Sequence, residues 1–494
     1  MAEPLTIREK VEKVIDEGEG ALRSVIVRMR SADEGREPTL RTAAYRMLQR
    51  SLSQSARDIL PSEVEPAPKV AAKKEAEEKR FGLSQLRGTS RQQQMAYGRR
   101  SIRPLLKCEA VSRHEQNPVR GAIAEFLTAK SVLLELTPDE LSQVAAAPGV
   151  RDIYPNRHLR LPRVIEAKSL PANVRDNKVS AWGITAIGAL SVWGAFNARG
   201  KGAKVGVLDT GIDAAHPDLK GKLAGWAEFD LNGDPVAGSK PHDTDRHGTH
   251  VSGTIVGGNA SGLWIGAAPE AQVSVALVLD GEKGGSDAQV LAGIDWAFLD
   301  QKVDVINMSL GGLTLGPEVP SIYTEAILSC VEGGVPVVTA IGNEGQETSG
   351  SPGNDLFAFA VGATDSEDRV AGFSGGRTQI IHESNFIPPD FLPLPYSKPE
   401  LSAPGLTIRS AVPGGEWATF NGTSMATPHV AGAIALLLSA TKIRNIPPGE
   451  RAFFIQDLLT GSVEELGEAG QDHRFGFGRL DILRAIGFAK EKGF

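Results

Sequence analysis

From about residue 182 onward, the chain contains short apolar runs in which hydrophobic and polar residues do not alternate. Runs of this kind are typical of strands that are buried on both faces of a sheet. Helical segments at 287–301 and 321–332 lie between some of them. Buried strands that alternate with helices predict a parallel sheet covered by helices on both faces, so we assign residues 181–494 to one α/β domain. The runs lie at 204–208, 273–279, 303–307, 335–341 and 357–361.

The amino-terminal part of the chain has a different pattern, which fits a small α+β domain. Thr137-Pro-Asp-Glu140 combines an N-cap Thr, a Pro at the first helical position and a Glu three residues after the cap, so it predicts the start of a helix. We assign this domain to residues 1–165, with an extended linker insertion at about 61–108, and we assign 166–180 to an exposed connector. The predicted strands lie at 23–30, 131–136 and 150–154, and further helices at 39–60 and about 90–107.

The charge of the 494-residue chain is divided between these two parts. Residues 1–180 carry 32 Lys and Arg against 24 Asp and Glu, a balance of +8, and the rest carry 21 against 36, a balance of −15. Acids dilute the basic residues, and few aromatic residues lie among them, so we predict no binding to nucleic acid. The apolar run that begins at Val430 is too short to span a bilayer, which predicts no membrane span. We expect instead that the two parts attract each other.

Cysteine use indicates the compartment. The chain has two cysteines, Cys108 and Cys330, which cannot build a disulfide framework or a cysteine-based zinc site. Its first ten residues contain no apolar segment of signal-peptide length. We therefore expect a reducing, cytoplasmic location. Export by another route stays open, because many exported bacterial proteins also lack cysteine.

Three short segments carry residues of the kinds that catalysis uses. Asp209 follows the run at 204–208, and the carboxyl ends of parallel strands are where such sheets bind ligands. His247 begins His-Gly-Thr-His-Val-Ser-Gly, and Ser424 lies in Gly-Thr-Ser-Met-Ala-Thr-Pro, before an apolar helix. Taken singly, these residues fit a turn Asp, a helix-capping His and an N-cap Ser. The segments contain neither the His-Glu-x-x-His spacing of zinc proteases nor the Gly-x-Ser-x-Gly turn of α/β-hydrolases.

Taken together and in the chain order Asp, His, Ser, the three segments resemble the signature blocks of subtilisin-like serine proteases, the subtilases. A fourth segment, Ala340-Ile-Gly-Asn343-Glu-Gly, resembles the one that bears the oxyanion asparagine in that family. The match extends from Trp182 to Asp481, so it covers the whole second domain. The resemblance implies a serine endopeptidase built on a subtilisin-like parallel sheet.

The family pattern implies a role for each matching residue. Ser424 would be the nucleophile and His247 the base that takes its proton. Asp209 would orient the imidazole, and Asn343 would donate a hydrogen bond to the oxyanion of the tetrahedral intermediate. The residues that match the substrate groove of the family are Ser309, Leu310, Gly311, Gly284, Gly285, Ala340, Ile341 and Gly342.

Other polar residues fall outside this mechanism. His250 and His429 are rival bases by their place in the sequence, but the pattern assigns the first His of its block, so we expect both to be structural. Calcium is common in the family, and Asp218 stands where one ligand would lie. The loop at 257–262 aligns imperfectly with a calcium loop, so we predict no metal site and no required cofactor.

The amino-terminal domain resembles the inhibitory propeptides of subtilases over residues 126–154. The resemblance implies a zymogen in which residues 1–165 inhibit the enzyme and assist its folding, and are then severed by the enzyme itself. The tail after Tyr154 is basic and extended enough to enter an acidic groove, and we place the cut within 158–178. The insertion at about 61–108 has no counterpart in a minimal propeptide.

We therefore predict a serine endopeptidase that acts on proteins or peptides and is inhibited by its own amino-terminal domain. Ala340, Ile341 and Gly350 would form small or apolar pocket walls without a carboxylate, which predicts cleavage after large apolar residues. Two alternatives stay open: a catalytically silent binding protein on the same fold, and a processing protease dedicated to one partner. The intact Asp, His, Ser and Asn argue against the first alternative.

Overall fold

The computed structural model shows two packed units that are linked by residues 156–180, the joining segment, of which 156–160, 165–166 and 178–180 are described. The described residues are 22–30, 90–115, 123–160, 165–166, 178–281, 283–314, 322–382 and 392–494, with the single residues Ile7, Val11, Glu12, Val14 and Ile15. The predicted helix at 39–60 and the first part of the predicted insertion lie outside these residues.

The amino-terminal unit is a small α+β structure. Its described elements are β1 (Arg23–Met29), α1 (Arg91–Leu106), α2 (Glu109–Glu115), β2 (Ala124–Phe126), β3 (Ser131–Leu136), α3 (Pro138–Ala145) and β4 (Val150–Pro155). The four strands form an antiparallel sheet in the order β2-β3-β1-β4. The predicted capping box is confirmed: the Thr137 side chain accepts from the backbone N–H of Glu140, and the Glu140 side chain accepts from that of Thr137.

The second unit is built on a seven-stranded sheet. Strands from the joining segment onward are β5 (His158–Leu159), β6 (Ile165–Glu166), β7 (Lys204–Asp209), β8 (Leu223–Glu228), β9 (Gln272–Leu277), β10 (Leu279–Asp280), β11 (Gly284–Ser286), β12 (Val305–Met308), β13 (Gly312–Leu313), β14 (Val337–Ala340), β15 (Gly350–Ser351), β16 (Phe359–Thr364), β17 (Arg377–Ile381), β18 (Leu394–Lys398), β19 (Leu401–Pro404), β20 (Ile408–Val412) and β21 (Glu416–Asn421). The sheet order is β19-β16-β14-β12-β7-β9-β8, and every neighbouring pair is parallel. The predicted α/β fold is confirmed.

Helices cover this sheet on both sides. They are α4 (Trp182–Ala186), α5 (Ala189–Phe196), α6 (His247–Val256), α7 (Asp287–Asp295), α8 (Thr324–Glu332), α9 (Thr423–Ala440), α10 (Pro448–Thr460) and α11 (Ile482–Glu491). The helix predicted at 287–301 ends as an α-helix at Asp295 and continues as a π-helical turn, Trp296–Asp300.

Burial on both faces explains why the apolar runs do not alternate. Val305 and Val338 belong to one buried hydrophobic cluster, and their chain neighbours Ile306 and Val337 belong to another. Since successive side chains of a strand point to opposite faces, each face of the sheet has a hydrophobic core of its own.

One described helix, α9, has the length and mean hydropathy of a membrane span, and 89% of it is buried inside the molecule. Its side chains join the cluster on one face of the sheet, as Val430 and Leu437 show. A buried apolar helix of this kind is a core helix by its packing.

The amino-terminal sheet packs on the second unit through α7 and α8. Phe126 is fully buried in the same hydrophobic cluster as Ala288 of α7 and Ala326 of α8. At the end of α7, the Asp295 carboxylate accepts hydrogen bonds from the backbone N–H groups of Leu127 and Thr128. The two units therefore share one core and satisfy each other's polar groups.

Helix α1, from the later part of the predicted insertion, lies between the two units. The Arg91 guanidinium donates to the carbonyl oxygen of Val303 and lies 5.2 Å from the ring centre of Phe298. Gln94 donates to Glu332 at the end of α8, with 3.2 Å between Nε2 and Oε2. The helix therefore extends the contact between the units beyond the sheet.

Gly98 provides a test of the packing of α1 against Leu127 within the amino-terminal unit. A Cβ at this buried helical position would overlap the carbonyl oxygen of Leu127, whereas a Cβ at the exposed helical Gly487 would meet no atom within 4 Å. We expect Gly98→Ala to lower the free energy of unfolding by about 1–3 kcal/mol through overpacking. Gly487→Ala should raise it by up to about 1 kcal/mol, because Ala favours a helix over Gly. Thermal unfolding of both variants measures the difference, and a Gly98→Ala variant as stable as Gly487→Ala would contradict the described packing.

Candidate active site

The two acid–base residues of the predicted triad lie together at the carboxyl end of the sheet. Asp209 is the last residue of β7, and His247 is the first residue of α6. The His247 Nδ1–H donates to Asp209 Oδ1 over 2.7 Å, and both side chains are buried. This hydrogen bond fixes the imidazole tautomer and directs Nε2 away from the carboxylate.

Charge around His247 favours its protonated form. Burial lowers the pKa of His247, but the charge and hydrogen bond of Asp209, together with the charges of Asp245 and Asp243, outweigh it and raise the pKa above its usual value. Nε2 is buried and has no hydrogen-bond partner among the described residues. The site thus holds an imidazole that gains a proton readily at the nitrogen free to exchange one.

Ser424 is the second residue of α9, and this helix packs against α6. Its hydroxyl donates to the carbonyl oxygen of Ser309 over 3.1 Å. The Ser309 hydroxyl donates to the carbonyl oxygen of Ser424 over 2.9 Å. The predicted hydrogen bond between the Ser424 hydroxyl and His247 Nε2 is therefore not formed. A rotation of the Ser424 side chain about χ1 would be needed to redirect the hydroxyl.

The segment before His247 is held by Asp243, a residue that the motif search missed. Asp243 Oδ1 accepts from the Thr210 hydroxyl over 2.7 Å, and Oδ2 accepts from the Thr249 N–H over 2.8 Å. Asp245 Oδ1 accepts from the backbone N–H of His247 over 3.1 Å. The presence of Asp243 and Asp245 shortly before His247 is the sequence feature that could have indicated this role.

Asn343 lies in the loop after β14, close to the start of α9. Its Oδ1 accepts from the backbone N–H of Thr423 over 2.8 Å and from the Thr423 hydroxyl over 2.9 Å. These two bonds orient the carboxamide so that the oxygen faces Thr423. Asn343 and Ser424 line the same open cleft.

The cleft brings together some of the predicted substrate residues but not all. Leu310, Gly311, Ala340 and Gly342 line it, whereas Ile341 is fully buried and is not among the lining residues. Gly284 and Gly285 lie in β11 and are not among the residues that line this cleft. Gly350, one of the predicted pocket walls, also lines the cleft, and the lining residues that the sequence analysis did not name are Gly312, Leu313, Glu344 and Thr423.

Glu344 places a carboxylate among the residues that line the cleft. It lies beside Asn343, and its Oε2 accepts from the backbone N–H of Asn343 over 2.9 Å. The predicted walls Ala340 and Gly350 line the same cleft and carry no carboxylate. Cleavage after large apolar residues stays a prediction.

The rival histidines are held by backbone carbonyls. The His250 ring donates to the carbonyl oxygen of Ile408 over 3.0 Å and stacks on Phe420, and burial lowers its pKa to about 3. The His429 ring donates to the carbonyl oxygen of Met425 over 2.8 Å, and burial lowers its pKa to about 4. Both rings are therefore neutral and structurally engaged.

The residues around Asp218 do not fit a calcium ion. One carboxylate oxygen accepts from the backbone N–H of Ala260 over 2.6 Å, and the other accepts from the Trp417 indole N–H over 2.7 Å. Hydrogen-bond donors that converge on a carboxylate occupy the positions that a cation and its oxygen ligands would need. Among the described residues, no group of three or more His, Cys, Asp or Glu side chains is placed to hold a metal ion.

The segment that joins the two units pairs with the second unit at two places. β5 pairs antiparallel with β11, where Leu159 faces Gly285. β6 pairs antiparallel with β21, where Ile165 faces Asn421. β6 therefore lies on the strand whose last residue, Asn421, shortly precedes Ser424.

Comparison with known proteins agrees with the resemblance of the motifs. Residues 200–478 match the profile of the Subtilase family. Over 263 residues, the chain is 40% identical to the intracellular serine protease of Paenibacillus polymyxa, which covers 52% of this chain and 72% of the relative. It is 38% identical to subtilisin E of Bacillus subtilis over 49% of this chain and 56% of the relative. A thermostable alkaline protease of Halalkalibacterium halodurans is 35% identical over 64% of this chain and 74% of its own length. The chain therefore belongs to the subtilase family of serine endopeptidases.

Proposed function

We propose that this subtilase cleaves peptide bonds with Ser424 as nucleophile, His247 as general base and acid, and Asp209 as the group that orients and stabilises the imidazolium. The observation that carries the proposal is the buried 2.7 Å hydrogen bond between His247 and Asp209. It leaves Nε2 without a partner on the described chain and available to exchange a proton with a serine hydroxyl.

The proposed reaction begins when the Ser424 hydroxyl turns from the Ser309 carbonyl and attacks the carbonyl carbon of the scissile bond. His247 Nε2 takes the hydroxyl proton and then gives it to the leaving amine. The substrate carbonyl is thereby left bound to the Ser424 oxygen as an acyl-enzyme ester. A water molecule then repeats the sequence, again with His247 as base, and releases the acid. Asp209 stays ionised throughout and compensates the positive imidazolium.

The oxyanion formed in each step needs donors. The carboxamide oxygen of Asn343 accepts two hydrogen bonds from Thr423, and its Nδ2 group is the first proposed donor to the oxyanion. The backbone N–H of Ser424, in the first turn of α9, is the second proposed donor, and the helix dipole favours negative charge there. Losing one such donor costs about 3–4 kcal/mol of transition-state stabilisation in enzymes of this chemistry.

We further propose that the chain is made as a zymogen whose amino-terminal unit inhibits it. The support is a shared hydrophobic core, buried ion pairs across the contact, and a joining segment paired with β11 and β21. The opposite charge balances of the two parts favour the same association. Self-cleavage within 158–178 would cut the chain at one of these two pairings, between them or after the second one.

Location and substrate range complete the proposal. Relatives at 38–40% identity are described as intracellular serine proteases, which supports a cytoplasmic location for this chain. A peptide library separates a general degradative enzyme from a processing protease dedicated to one partner, because the first cleaves broadly and the second cleaves one motif. A fluorophosphonate label on Ser424 separates either from a catalytically silent binding protein.

Replacing the proposed nucleophile gives a direct test. We expect Ser424→Ala to lower the rate of peptide hydrolysis by several powers of ten and to abolish fluorophosphonate labelling. The variant lacks the hydroxyl that supplies the attacking oxygen. The thermal unfolding midpoint should change little, since the variant loses one hydroxyl. Ser309→Ala, which removes a neighbouring hydroxyl, should still be labelled. A folded Ser424→Ala variant with near-normal activity would refute the proposed triad.

A buried charge pair tests the inhibitory contact. Glu325 of α8 is paired with Lys130 of the amino-terminal unit and lies 3.8 Å from Arg151 Nη1. Burial opposes ionisation, but the charges of Lys130, Arg28 and Arg151 hold the pKa of Glu325 below its usual value. Removing one partner of a buried pair costs about 3–5 kcal/mol, so we expect Glu325→Gln to raise the peptidase activity of the unprocessed full chain roughly tenfold or more.

The matched control is Glu464→Gln, which removes a half-exposed partner of Arg484 and should leave that activity unchanged. Activity is measured against a short quenched peptide before any new amino terminus appears. Equal activities of the two variants and the parent chain would show that this contact does not restrain the enzyme.

A further inference from the structure

The joining segment marks where the part of a substrate beyond the scissile bond would lie. The chain runs from β5, on β11, to β6, on β21, so residues after the crossing lie on the leaving-group side of any bond cleaved between the two strands. In β6, Ile165 faces Asn421 and Glu166 faces Phe420, just before the turn into α9 and Ser424. Glu166 thus occupies a position that an extended substrate would reach.

The Glu166 side chain meets a basic side chain there. Arg246 Nη1 lies 2.7 Å from Glu166 Oε2, and Nη2 lies 3.3 Å from Oε1. The guanidinium also lies 5.4 Å from the ring centre of Phe420, which limits its directions. Arg246 directly precedes His247 at the start of α6, so its backbone is fixed next to the proposed base.

We propose that Arg246 forms a subsite for an acidic side chain on the leaving-group side of the substrate, with Glu166 standing in for that side chain in the uncleaved chain. This inference rests on the proposed function, because it takes the joining segment as a model for a bound substrate. The planar fork of Arg donates two parallel hydrogen bonds to a carboxylate. A Gln in the substrate offers one uncharged oxygen and cannot match this arrangement.

The charges nearby set the size of the expected preference. Asp245 is the neighbouring acid, and the Arg246 and Glu166 side chains are 43% and 51% exposed. Exposed pairs contribute little, so we expect a three- to fivefold preference for Glu over Gln in kcat/KM at low ionic strength. Salt screens such pairs, so the preference should shrink at high ionic strength.

The test uses quenched peptides that share one sequence and carry Glu, Gln or Lys in turn at each of the first five positions after the cleaved bond. The full chain, Arg246→Glu and Arg246→Gln are compared, with Arg484→Glu as the control. Arg484, in helix α11, is a similarly exposed arginine, with 44% of its side chain accessible, and it pairs with Glu464. The quantity compared is the ratio of kcat/KM between Glu, Gln and Lys peptides within each enzyme.

We expect one position at which the parent chain and Arg484→Glu prefer Glu, at which Arg246→Gln shows no preference, and at which Arg246→Glu prefers Lys. The same Glu preference in all four enzymes, or none in the parent chain, would overturn the inference while leaving the proposed peptidase intact. If no enzyme cleaves any peptide and Ser424 takes no fluorophosphonate label, the proposed function and the inference both fail.

Discussion

A parallel sheet buried on both faces determines where this molecule can place chemistry. Its faces are covered by separate hydrophobic clusters, so polar side chains can collect only where the strands end. Asp209 ends β7, Ser309 follows β12 and Asn343 follows β14, and these strands are neighbours or next neighbours in the sheet. The helices that return across the sheet bring His247 and Ser424 to the same edge. The site is therefore a consequence of the sheet order.

The amino-terminal unit uses the same principle of mutual burial. Phe126 completes a hydrophobic cluster that belongs mainly to the second unit, and Asp295 finds its hydrogen-bond donors on the amino-terminal side. Lys130 and Glu325 are each almost fully buried and neutralise each other. Each unit would leave the other with uncovered apolar and charged groups if it departed, so the association is specific, and β5 and β6 pair with β11 and β21 beside it.

Local signals in the sequence predicted local structure well. The apolar runs predicted five of the seven strands of the parallel sheet, all but β8 and β19, and the Thr137–Glu140 capping box predicted the start of α3. Both signals depend on residues close together in the chain. The motif order placed Asp209 and His247 in contact. What the sequence could not supply were contacts between distant residues: the Ser309 carbonyl that holds the Ser424 hydroxyl, and the docking of α1 on the second unit. These contacts depend on how distant segments pack together, which the spacing of residues along one sequence does not reveal.

We propose that strands β5 and β6 of the joining segment lie where a bound substrate would pair with β11 and β21. Amide hydrogen exchange of the full chain tests it directly, because β11 and β21 gain hydrogen-bond partners from β5 and β6. The account predicts slow exchange at Gly284–Ser286 and Phe420–Asn421. Exchange there should be faster when Leu159 and Ile165 are both replaced by proline, because proline disfavours strand pairing, so β11 and β21 would lose β5 and β6 as partners. Equal exchange in the two chains at both segments would contradict the claim.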